Sequence, residues 1–282
     1  REQRTENREQ RTENREQRTE NMPELPEVAY QKKYADATIL HKKIVKVETG
    51  DKKIYQSDKN EFEETLKDNQ FIGSERLGKY LFLNLKNKGV LVVHFGMTGK
   101  LEYYQHEEIP KYAQLTLTFE DHSRVSFTCP RKFGKLYLAE SLVKFQKENG
   151  LGVDALALTK EQFFEILKGK TGTIKALLMN QKLIAGIGNL YADEILFQVK
   201  IHPATKVNEL SEKDKLKIYN KIKEVLEVVK KVREEGQKLP ESYITTVRKK
   251  DADCPRNNGK IQQIKVSGRT TYFCPICQQE KS

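Results

Sequence analysis

The chain lacks any long apolar segment and is poor in cysteine. No run of about 18 apolar residues occurs among its 282 residues, which excludes a membrane-spanning helix at the level of sequence. The stretch that follows Met22 has none of the regions of a signal peptide. Only four cysteines are present, and three of them follow residue 250, which favours a reducing compartment and a metal site over disulfide bonds. We therefore expect a cytoplasmic protein with no membrane partner.

The first 21 residues are three identical copies of Arg-Glu-Gln-Arg-Thr-Glu-Asn. This repeat contains no apolar residue, so it cannot bury a core, and we expect it to be disordered. Met22 is the expected start of the protein, and the repeat is either a cloning remnant or an overextended reading frame. Because each copy is electrically neutral, the formal net charge of +11 belongs to the rest of the chain. A charge of this sign favours a polyanionic partner such as nucleic acid.

The apolar pattern changes along the chain. A helix is predicted over 23–41, with Val28, Tyr34, Ala35 and Ile39 buried. Short alternating runs then predict antiparallel strands at 44–47, 80–83, 90–93, 115–119 and 124–127, in a sandwich or barrel. After Gly152 the spacing becomes helical, over 159–168, 173–180, 189–199 and 211–235. For the last helix the expected buried stripe is Leu216, Tyr219, Ile222, Val225, Leu226 and Val229.

The segment 22–28, Met-Pro-Glu-Leu-Pro-Glu-Val, carries the clearest chemical signal. Removal of a methionine before proline exposes a secondary amine at Pro23, which can attack C1′ of a deoxyribose, expel the base and leave an iminium cation. The iminium acidifies the C2′ hydrogen and permits strand cleavage by β-elimination. The following helix disfavours protonation of the amine, Glu24 is placed to move protons, and Glu27 lies one turn further on. With Met22 attached, Pro23 is a tertiary amide and cannot react.

Further motifs follow in order: Gly-Lys-Tyr-Leu at 78–81, His-Phe-Gly-Met-Thr-Gly at 94–99, Pro-Arg-Lys-Phe-Gly at 130–134, the run 181–194, and Gly-Arg-Thr-Thr at 268–271. With 22–28, this series resembles the formamidopyrimidine-DNA glycosylases from Met22 to Gln278. The resemblance implies an α+β fold: a helix plus an antiparallel β-sandwich in 22–152, a helix–two-turns–helix domain in 153–248, and a zinc-finger-like β-hairpin in 249–282.

The resemblance also implies a function in base-excision repair. The expected enzyme is a DNA glycosylase and AP lyase that removes oxidised purines through a Schiff base with Pro23. Glu24 is then the acid/base, Glu27 a lesion-binding residue, and Lys79 a turn residue that contacts phosphate at the lesion and assists base departure. The partner is damaged double-stranded DNA, bound by a monomer near the nucleoid, and no organic cofactor is expected.

Several residues are expected to hold the DNA. A base inside a duplex must be flipped out and its place filled. The resemblance assigns this filling to Met97 and Phe133, contact with the widowed base to Arg131, and phosphate contact to His94. Cys129 stands where the family has an acidic residue. In the run 181–194, two glycines and a helix start permit close approach to phosphate. The remaining expected contacts are Asn189, Lys175 and Arg269.

The chain departs from the family pattern in two places, the cysteines of the finger and the segment 235–247 that precedes it. The family has two Cys-x2-Cys pairs around one zinc ion. Here Cys274 and Cys277 form the second pair, Cys254 begins the first, and Asn257 occupies the fourth slot. Three thiolates therefore hold zinc with water or Asn257, or the hairpin stands without metal. The segment 235–247 lacks the Gly-Gly-Thr stretch of the loop that covers 8-oxoguanine, so formamidopyrimidines and other lesions stay open as substrates.

Three alternatives remain. An endonuclease VIII-like enzyme for oxidised pyrimidines shares the proline, glutamate and lysine, but opens with Pro-Glu-Gly-Pro-Glu, so Leu25 favours the purine enzyme. A non-catalytic damaged-DNA-binding homologue would make the same contacts with DNA, but its Pro23 nitrogen would stay blocked by the residues before it. A zinc-ribbon protein of transcription or the ribosome would explain the tail and the charge but not the segment 22–28.

Overall fold

A computed structural model describes residues 22–280, so the repeat and its expected disorder lie outside the described part of the chain. Two compact units are present. The first is built from Gln31–Arg76 and Tyr80–Leu142, and the second from Glu24–Tyr30, Leu77–Lys79 and the chain from Val143 onward. Within the described residues, every helix is too short or too polar to cross a lipid bilayer.

Helix α1 spans Leu25–Thr38, slightly less than the predicted 23–41. Val28, Ala35 and Ile39 are buried as expected. Tyr34 is only half-buried, and its hydroxyl accepts a hydrogen bond from the Tyr103 backbone N–H at 2.8 Å. Its polar tip therefore finds a partner at the edge of the apolar face, which is the usual arrangement for a tyrosine.

The first unit is a β-sandwich of two four-stranded sheets, as predicted. Its eight strands are β1 (Ile44–Thr49), β2 (Phe71–Leu77), β3 (Tyr80–Leu85), β4 (Val90–His94), β5 (Lys100–Tyr104), β6 (Ala113–Phe119), β7 (Arg124–Thr128) and β8 (Lys135–Ala139). The sheet orders are β1-β6-β7-β5 and β2-β3-β4-β8, and the pairing is antiparallel in β1·β6, β6·β7, β5·β7, β3·β4 and β4·β8. The inner faces of both sheets line one small apolar void, through residues such as Leu91, Val93, Leu117 and Val125. Alternation of apolar residues along the strands therefore produces the core.

One helix in this unit was not predicted. Helix α2 spans Lys59–Leu66, begins at the N-cap Asp58 and buries Phe62 and Leu66. The Asp58 side chain accepts from the Asn60 backbone N–H, which is a usual N-cap contact. The signal was present in the sequence as an N-cap followed by two apolar residues four positions apart, but it is short and surrounded by charged residues.

The helices that follow are α3 (Leu142–Glu148), α4 (Lys160–Leu167), α5 (Ile174–Leu178), α6 (Asn189–Val199) and α7 (Glu212–Glu235). Thr159 and Ser211 cap α4 and α7 through complete capping boxes, and Gly236 ends α7 in the left-handed conformation. Two short strands, β9 (Val153–Asp154) and β10 (Ile184–Ala185), pair in parallel. The four helices expected after Gly152 are therefore present as α4 to α7, each within a few residues of its predicted bounds, whereas α3 was not predicted.

The buried stripe of α7 differs from the prediction at its two ends, where Ile218 and Val232 are buried but were not predicted, and Tyr219 is only half-buried. Leu216 is 38% exposed, whereas Ile218 is fully buried. Spacings of three and four place Ile218, Ile222, Val225 and Val229 on one face, and Leu216 falls almost opposite Ile218 at 100° per residue. The prediction followed steps of three too closely and lost the helical period.

The finger is a two-stranded hairpin. Strands β11 (Gln262–Val266) and β12 (Arg269–Phe273) pair in antiparallel register, with Val266 opposite Arg269. The two turn residues, Ser267 and Gly268, have φ angles of 49° and 76°. Positive φ at both central residues is the type I′ turn that suits the twist of a hairpin. The predicted finger tip at 268–271 is confirmed as the start of the second strand.

Candidate active site and nucleic-acid interface

Glu24 is bound at the amino end of helix α6. Its Oε2 accepts from the Gly188 backbone N–H at 2.6 Å, and its Oε1 accepts from the Leu190 N–H at 2.8 Å. A third, longer bond comes from the Tyr191 N–H at 3.4 Å. Gly188, the N-cap residue of α6, has no side chain with which to bond these amides. The carboxylate therefore satisfies donors that a helix start leaves open, and the helix dipole favours its negative charge.

Gly188 is required by the packing around this carboxylate. A Cβ atom at position 188 would lie 2.4 Å from Cδ of Glu24 and 2.7 Å from Nζ of Lys79. Both contacts are far shorter than van der Waals contact. Glycine therefore allows one carboxyl group and one ammonium group to approach the same backbone atom.

Lys79 lies on the two-residue turn between β2 and β3, as the sequence predicts. The side chain is 9% exposed, and burial lowers its pKa, with the charge of Glu24 opposing that shift. The turn is held by Asp154, whose Oδ2 accepts from the Gly78 N–H at 2.7 Å and whose Oδ1 accepts from the Leu156 N–H. Gly78 has a φ of 56°, which glycine adopts without strain. Asp154 was not identified from the sequence, because its partner lies 76 residues away.

The protonation of Glu24 reflects competing effects. Burial raises its pKa above 4.5, the charge of Lys79 lowers it, and Glu27 raises it further. Backbone hydrogen bonds from Leu190 and Gly188 stabilise the carboxylate without reversing the shift. A carboxyl group with a raised pKa can hold a proton nearer neutral pH, which suits proton transfer. Pro23, half-buried, immediately precedes it.

Glu27 is braced by three groups. Its Oε1 accepts from the Tyr191 hydroxyl at 2.5 Å and from Nε of Arg233 at 3.2 Å. Its Oε2 accepts from the Glu24 backbone N–H at 3.1 Å, so the carboxylate caps the start of α1. The side chain remains 26% exposed. Tyr191 and Arg233 were not assigned roles from the sequence, although Tyr191 lies inside the run 181–194.

Two loops of the first unit contact each other directly. A Cβ atom at Gly96 would lie 2.4 Å from the backbone carbon of Phe133, so 94–99 and 129–134 meet backbone to backbone. Phe133 is 55% exposed and Met97 is half-buried. The Arg131 guanidinium lies 5.5 Å from the Phe133 ring centre, within cation–π range. The two predicted wedge residues, Met97 and Phe133, thus lie on loops that touch each other, with Arg131 beside Phe133.

Cys129 and His94 support these loops. Cys129 is fully buried, as expected, and its sulfur accepts from the Gly134 N–H at 3.3 Å. The thiol therefore supports the loop at the position where the family has an acidic residue. His94 accepts from the Gly96 N–H through Nδ1 at 3.3 Å, and its ring lies 4.8 Å from that of Tyr80.

Asn189 and Arg269 lie near the finger tip. The Asn189 amide donates to the Thr270 carbonyl at 2.9 Å, and its Oδ1 is buried with no hydrogen-bond partner among residues 22–280. Arg269 is exposed at the start of β12 and contributes to the electrostatic environment of Lys79. Val266, Ser267 and Arg269 line one side of a pocket, and Lys175, Ala176 and Met179 line the other.

Lys175 is buried in an ion-pair network beside the finger tip. The side chain is 1% exposed, and its Nζ lies 2.6 Å from Oδ1 of Asp193 and 2.5 Å from Oγ1 of Thr271. Arg248 binds the other oxygen of Asp193 at 2.8 Å. The ammonium thus belongs to a buried ion-pair network that joins α5, α6 and β12, and the residue also lines the pocket beside the finger tip. Sequence reasoning missed this because Asp193 and Arg248 lie 55 residues apart.

Three thiols converge at the base of the finger. The sulfur atoms of Cys254, Cys274 and Cys277 all lie within 4.8 Å of one another, as the metal-site prediction requires. Burial raises the pKa of Cys254 to about 12. Burial also acts to raise the pKa of Cys277, but hydrogen bonds, first that from Asn258, lower it overall. Three sulfurs at this spacing fit zinc, which they would hold as a structural ion.

The residue beside these thiols is Asn258, not the expected Asn257. Asn257 is exposed, with a φ of 55°, and its backbone N–H donates to the Cys254 carbonyl at 2.8 Å. The Asn258 amide nitrogen donates to Cys277 at 3.2 Å, and Oδ1 lies the same distance from that sulfur. The left-handed turn at Asn257 directs the next residue towards the cluster. Spacing in the sequence could not distinguish the two neighbouring asparagines.

Two family models match this chain. The formamidopyrimidine-DNA glycosylase N-terminal domain matches residues 22–136, and the H2TH domain of the same enzymes matches 151–240. The formamidopyrimidine-DNA glycosylase of Mycoplasmopsis pulmonis is 34% identical over 284 residues, covering 92% of this chain and 99% of its own. That of Listeria monocytogenes is 32% identical over 281 residues, covering 92% and 100%.

Solved structures agree with these relatives. Lactococcus lactis formamidopyrimidine-DNA glycosylase, bound to DNA containing N7-benzyl-Fapy-dG, has a TM-score of 0.81 and 28% identity, covering 92% of this chain and 100% of its own. The same enzyme, bound non-covalently to DNA with an AP site, has a TM-score of 0.83 and 29% identity, covering 91% and 100%. Fold and site together define a DNA-repair glycosylase scaffold. The chain belongs to the formamidopyrimidine-DNA glycosylase family.

Proposed function

We propose that this chain is a bifunctional DNA glycosylase and AP lyase of base-excision repair. The observation that carries the proposal is the position of Glu24. Its carboxylate accepts hydrogen bonds from the backbone amides of Gly188 and Leu190, and the Lys79 ammonium packs against the same glycine. Glu24 also follows Pro23 directly in the chain. Membership of the family supports the same activity.

The glycosylase step begins at the Pro23 nitrogen, once the residues before it have been removed. Its lone pair forms a bond to C1′ of the damaged nucleotide. The glycosidic bond breaks, and its electron pair leaves with the base, which takes up a proton. Loss of the amine proton and opening of the sugar ring at O4′ give the iminium. Glu24, with its raised pKa, is the proposed group that gives a proton to the sugar oxygen and later accepts one.

The lyase step uses the iminium as an electron sink. A base removes the proton from C2′, and the freed electron pair forms the C1′–C2′ double bond of an enamine while the C=N electrons move to nitrogen. The electrons then return, a C2′–C3′ double bond forms, the 3′ phosphate departs with the electrons of the C3′–O bond, and the iminium is restored. Water then releases the sugar from Pro23. Lys79, buried beside Glu24, is proposed to contact phosphate at the lesion and to assist departure of the base. Its positive charge also disfavours protonation of a neighbouring amine, which keeps the nucleophile neutral.

The proposed partner is damaged double-stranded DNA, bound by a monomer. Met97 and Phe133 are proposed to fill the space of the flipped nucleotide, with Arg131 on the widowed base. His94, Asn189 and Arg269 are the proposed phosphate contacts. The exposure of Phe133 and of Arg269 supports these roles.

The proposed lesions are oxidised purines, formamidopyrimidines first. Glu27, a quarter exposed, is the proposed lesion-facing carboxylate. Only 3₁₀ helix Ile244–Thr246 interrupts the short segment between Gly236 and Val247. A loop this short gives little cover to a flipped base, so 8-oxoguanine is the lesion whose excision we expect to be slower. Parallel excision assays on duplexes with formamidopyrimidine, 8-oxoguanine and an oxidised pyrimidine test this order.

We also propose a division of labour along the chain, with chemistry in 22–152 and backbone contacts in 153–248 and 249–282. Proteins of this class work where the DNA is, which in a bacterium is the cytoplasm and its nucleoid. Four cysteines without disulfide partners support a reducing compartment.

Borohydride trapping tests the proposal. Protein that begins at Pro23 and the full chain are each mixed with duplex DNA that carries a formamidopyrimidine, and separately with abasic DNA. We expect a covalent adduct only with the protein that begins at Pro23. Its Pro23→Gly variant should give a much lower yield of adduct. Absence of an adduct from every form, with DNA binding retained, would instead identify a non-catalytic damage-binding protein.

A further inference from the structure

The three thiols of the finger already have the spacing of zinc ligands. Cys254 and Cys277 have their sulfur atoms 3.7 Å apart. In a tetrahedral site with Zn–S bonds of about 2.3 Å, two sulfurs lie about 3.8 Å apart. Cys254 and Cys274 are fully buried, so the cluster is closed on their side. Three corners of a tetrahedron are therefore occupied by sulfur, and the fourth ligand has to come from elsewhere.

Asn258 occupies the open side of the cluster. Its Oδ1 lies 3.2 Å from the Cys277 sulfur and 3.7 Å from the Cys274 sulfur. A zinc–oxygen bond of about 2.1 Å would place a ligand oxygen about 3.6 Å from each sulfur of a tetrahedral site. The distance to Cys274 lies close to that value, and the distance to Cys277 is about 0.4 Å shorter. The amide carbonyl is thus at the position where a fourth ligand belongs.

The backbone explains why Asn258 and not its neighbour reaches the thiols. The turn that begins at Cys254 is closed by two hydrogen bonds, from the Asn257 N–H to the Cys254 carbonyl and from the Cys254 N–H to the Gly259 carbonyl, each 2.8 Å long. Asn257 sits at the left-handed position of this turn and is exposed. The chain then returns towards the cluster at Asn258.

We propose that Asn258 completes a tetrahedral zinc site with Cys254, Cys274 and Cys277 through its Oδ1 atom. This site has three thiolates and one neutral oxygen, so its net charge with Zn²⁺ is one unit less negative than that of a four-thiolate finger. A neutral amide is also a weaker ligand than a thiolate, so the ion exchanges more readily than in a four-cysteine finger. The inference does not depend on the proposed enzyme activity, because metal binding itself is measured.

The test compares the two adjacent asparagines in the full chain under reducing, anaerobic conditions. Wild type, Asn258→Ala and Asn257→Ala are loaded with Co²⁺, and the visible absorption bands and the stoichiometry are recorded. Zinc release to a chromogenic chelator is then timed for each protein. We expect one ion per chain in wild type, shifted cobalt bands and release about 10- to 100-fold faster in Asn258→Ala, and wild-type behaviour in Asn257→Ala.

A second pair keeps the test decisive if Asn258→Ala does not fold. Asn258→Asp retains the shape of the side chain and offers a charged oxygen, so zinc release should slow, while Asn257→Asp should leave it unchanged. Equal cobalt spectra and equal release rates in the 257 and 258 variants would overturn the proposal in favour of water as fourth ligand. Absence of metal from folded wild type at stoichiometric Co²⁺ would overturn it as well. Each readout is independent of borohydride trapping.

Discussion

The carboxylate of Glu24 and the backbone amide of Gly188 are 164 residues apart in sequence and 2.6 Å apart in space. This contact attaches the residue that follows Pro23 to the start of helix α6. The same glycine also leaves room for Lys79. The position of the Glu24 carboxylate therefore depends on a helix in the middle of the chain.

Substitution of Gly188 by alanine should disable the site without unfolding the protein. The new Cβ atom would lie 2.4 Å from Cδ of Glu24 and 2.7 Å from Nζ of Lys79, so both side chains must move. We expect single-turnover excision by protein that begins at Pro23 to slow about 100-fold, the scale of a misplaced catalytic group. Gly172→Ala is the matched control, because a Cβ there has nothing within 4 Å. Equal rates for both variants would contradict the packing argument.

The pH dependence of stability should identify the buried charge of Glu24. Burial raises its pKa above 4.5 in the native state, so the native protein binds this proton more tightly than the unfolded chain. The stabilisation is complete below the unfolded pKa and is lost as pH rises through the native pKa. Glu24→Gln cannot lose a proton, so its unfolding free energy relative to wild type should increase over that range. Urea unfolding at a series of pH values measures the difference between the two proteins, and a difference that stays constant over that range would contradict the prediction.

Loss of Asp193 should destabilise the fold strongly. Its carboxylate is the partner of both Lys175 and Arg248, and all three side chains are at most 4% exposed. Asp193→Ala leaves two buried cations without their counter-ion, which costs about 3–5 kcal/mol in unfolding free energy. Asp253 makes an ion pair of the same 2.6 Å length with Lys260, but both side chains are largely exposed. Asp253→Ala should therefore cost no more than about 1 kcal/mol in the same urea titration.

Tyr191 and Arg233 should act on Glu27 together. Both donate to the same atom, Oε1, so removal of one donor changes what the other contributes. We expect a double-mutant cycle of Tyr191→Phe and Arg233→Ala to give a coupling energy of about 0.5–3 kcal/mol in unfolding free energy. Additive losses would mean that the two contacts are independent. The pair Tyr191→Phe and Lys230→Ala provides the comparison, since Lys230 pairs with Glu227 instead.

Local chemistry determined most of the framework. The capping residues Thr159 and Ser211, the alternating strands and the turn at Gly268 each act over a few positions, so the sequence predicts them directly. The prediction for the segment 22–28 is likewise local, because Pro23, Glu24 and the start of a helix are adjacent in the chain. Leu216 was predicted to be buried and is exposed, because the prediction used steps of three residues instead of the helical period of 3.6.

Tertiary structure decided which partners the charged and polar side chains have. Burial of Lys175, the hold of Asp154 on the Gly78 turn, and the choice of Asn258 over Asn257 all depend on partners or backbone turns that spacing does not specify. Hydrogen bonds and ion pairs act over about 3 Å, and the chain brings such atoms together only after the apolar core has formed. The sequence by itself therefore determined which elements form and which residues can react. The fold decided which of those residues meet, because the burial that fixes their partners is a property of the whole packed chain.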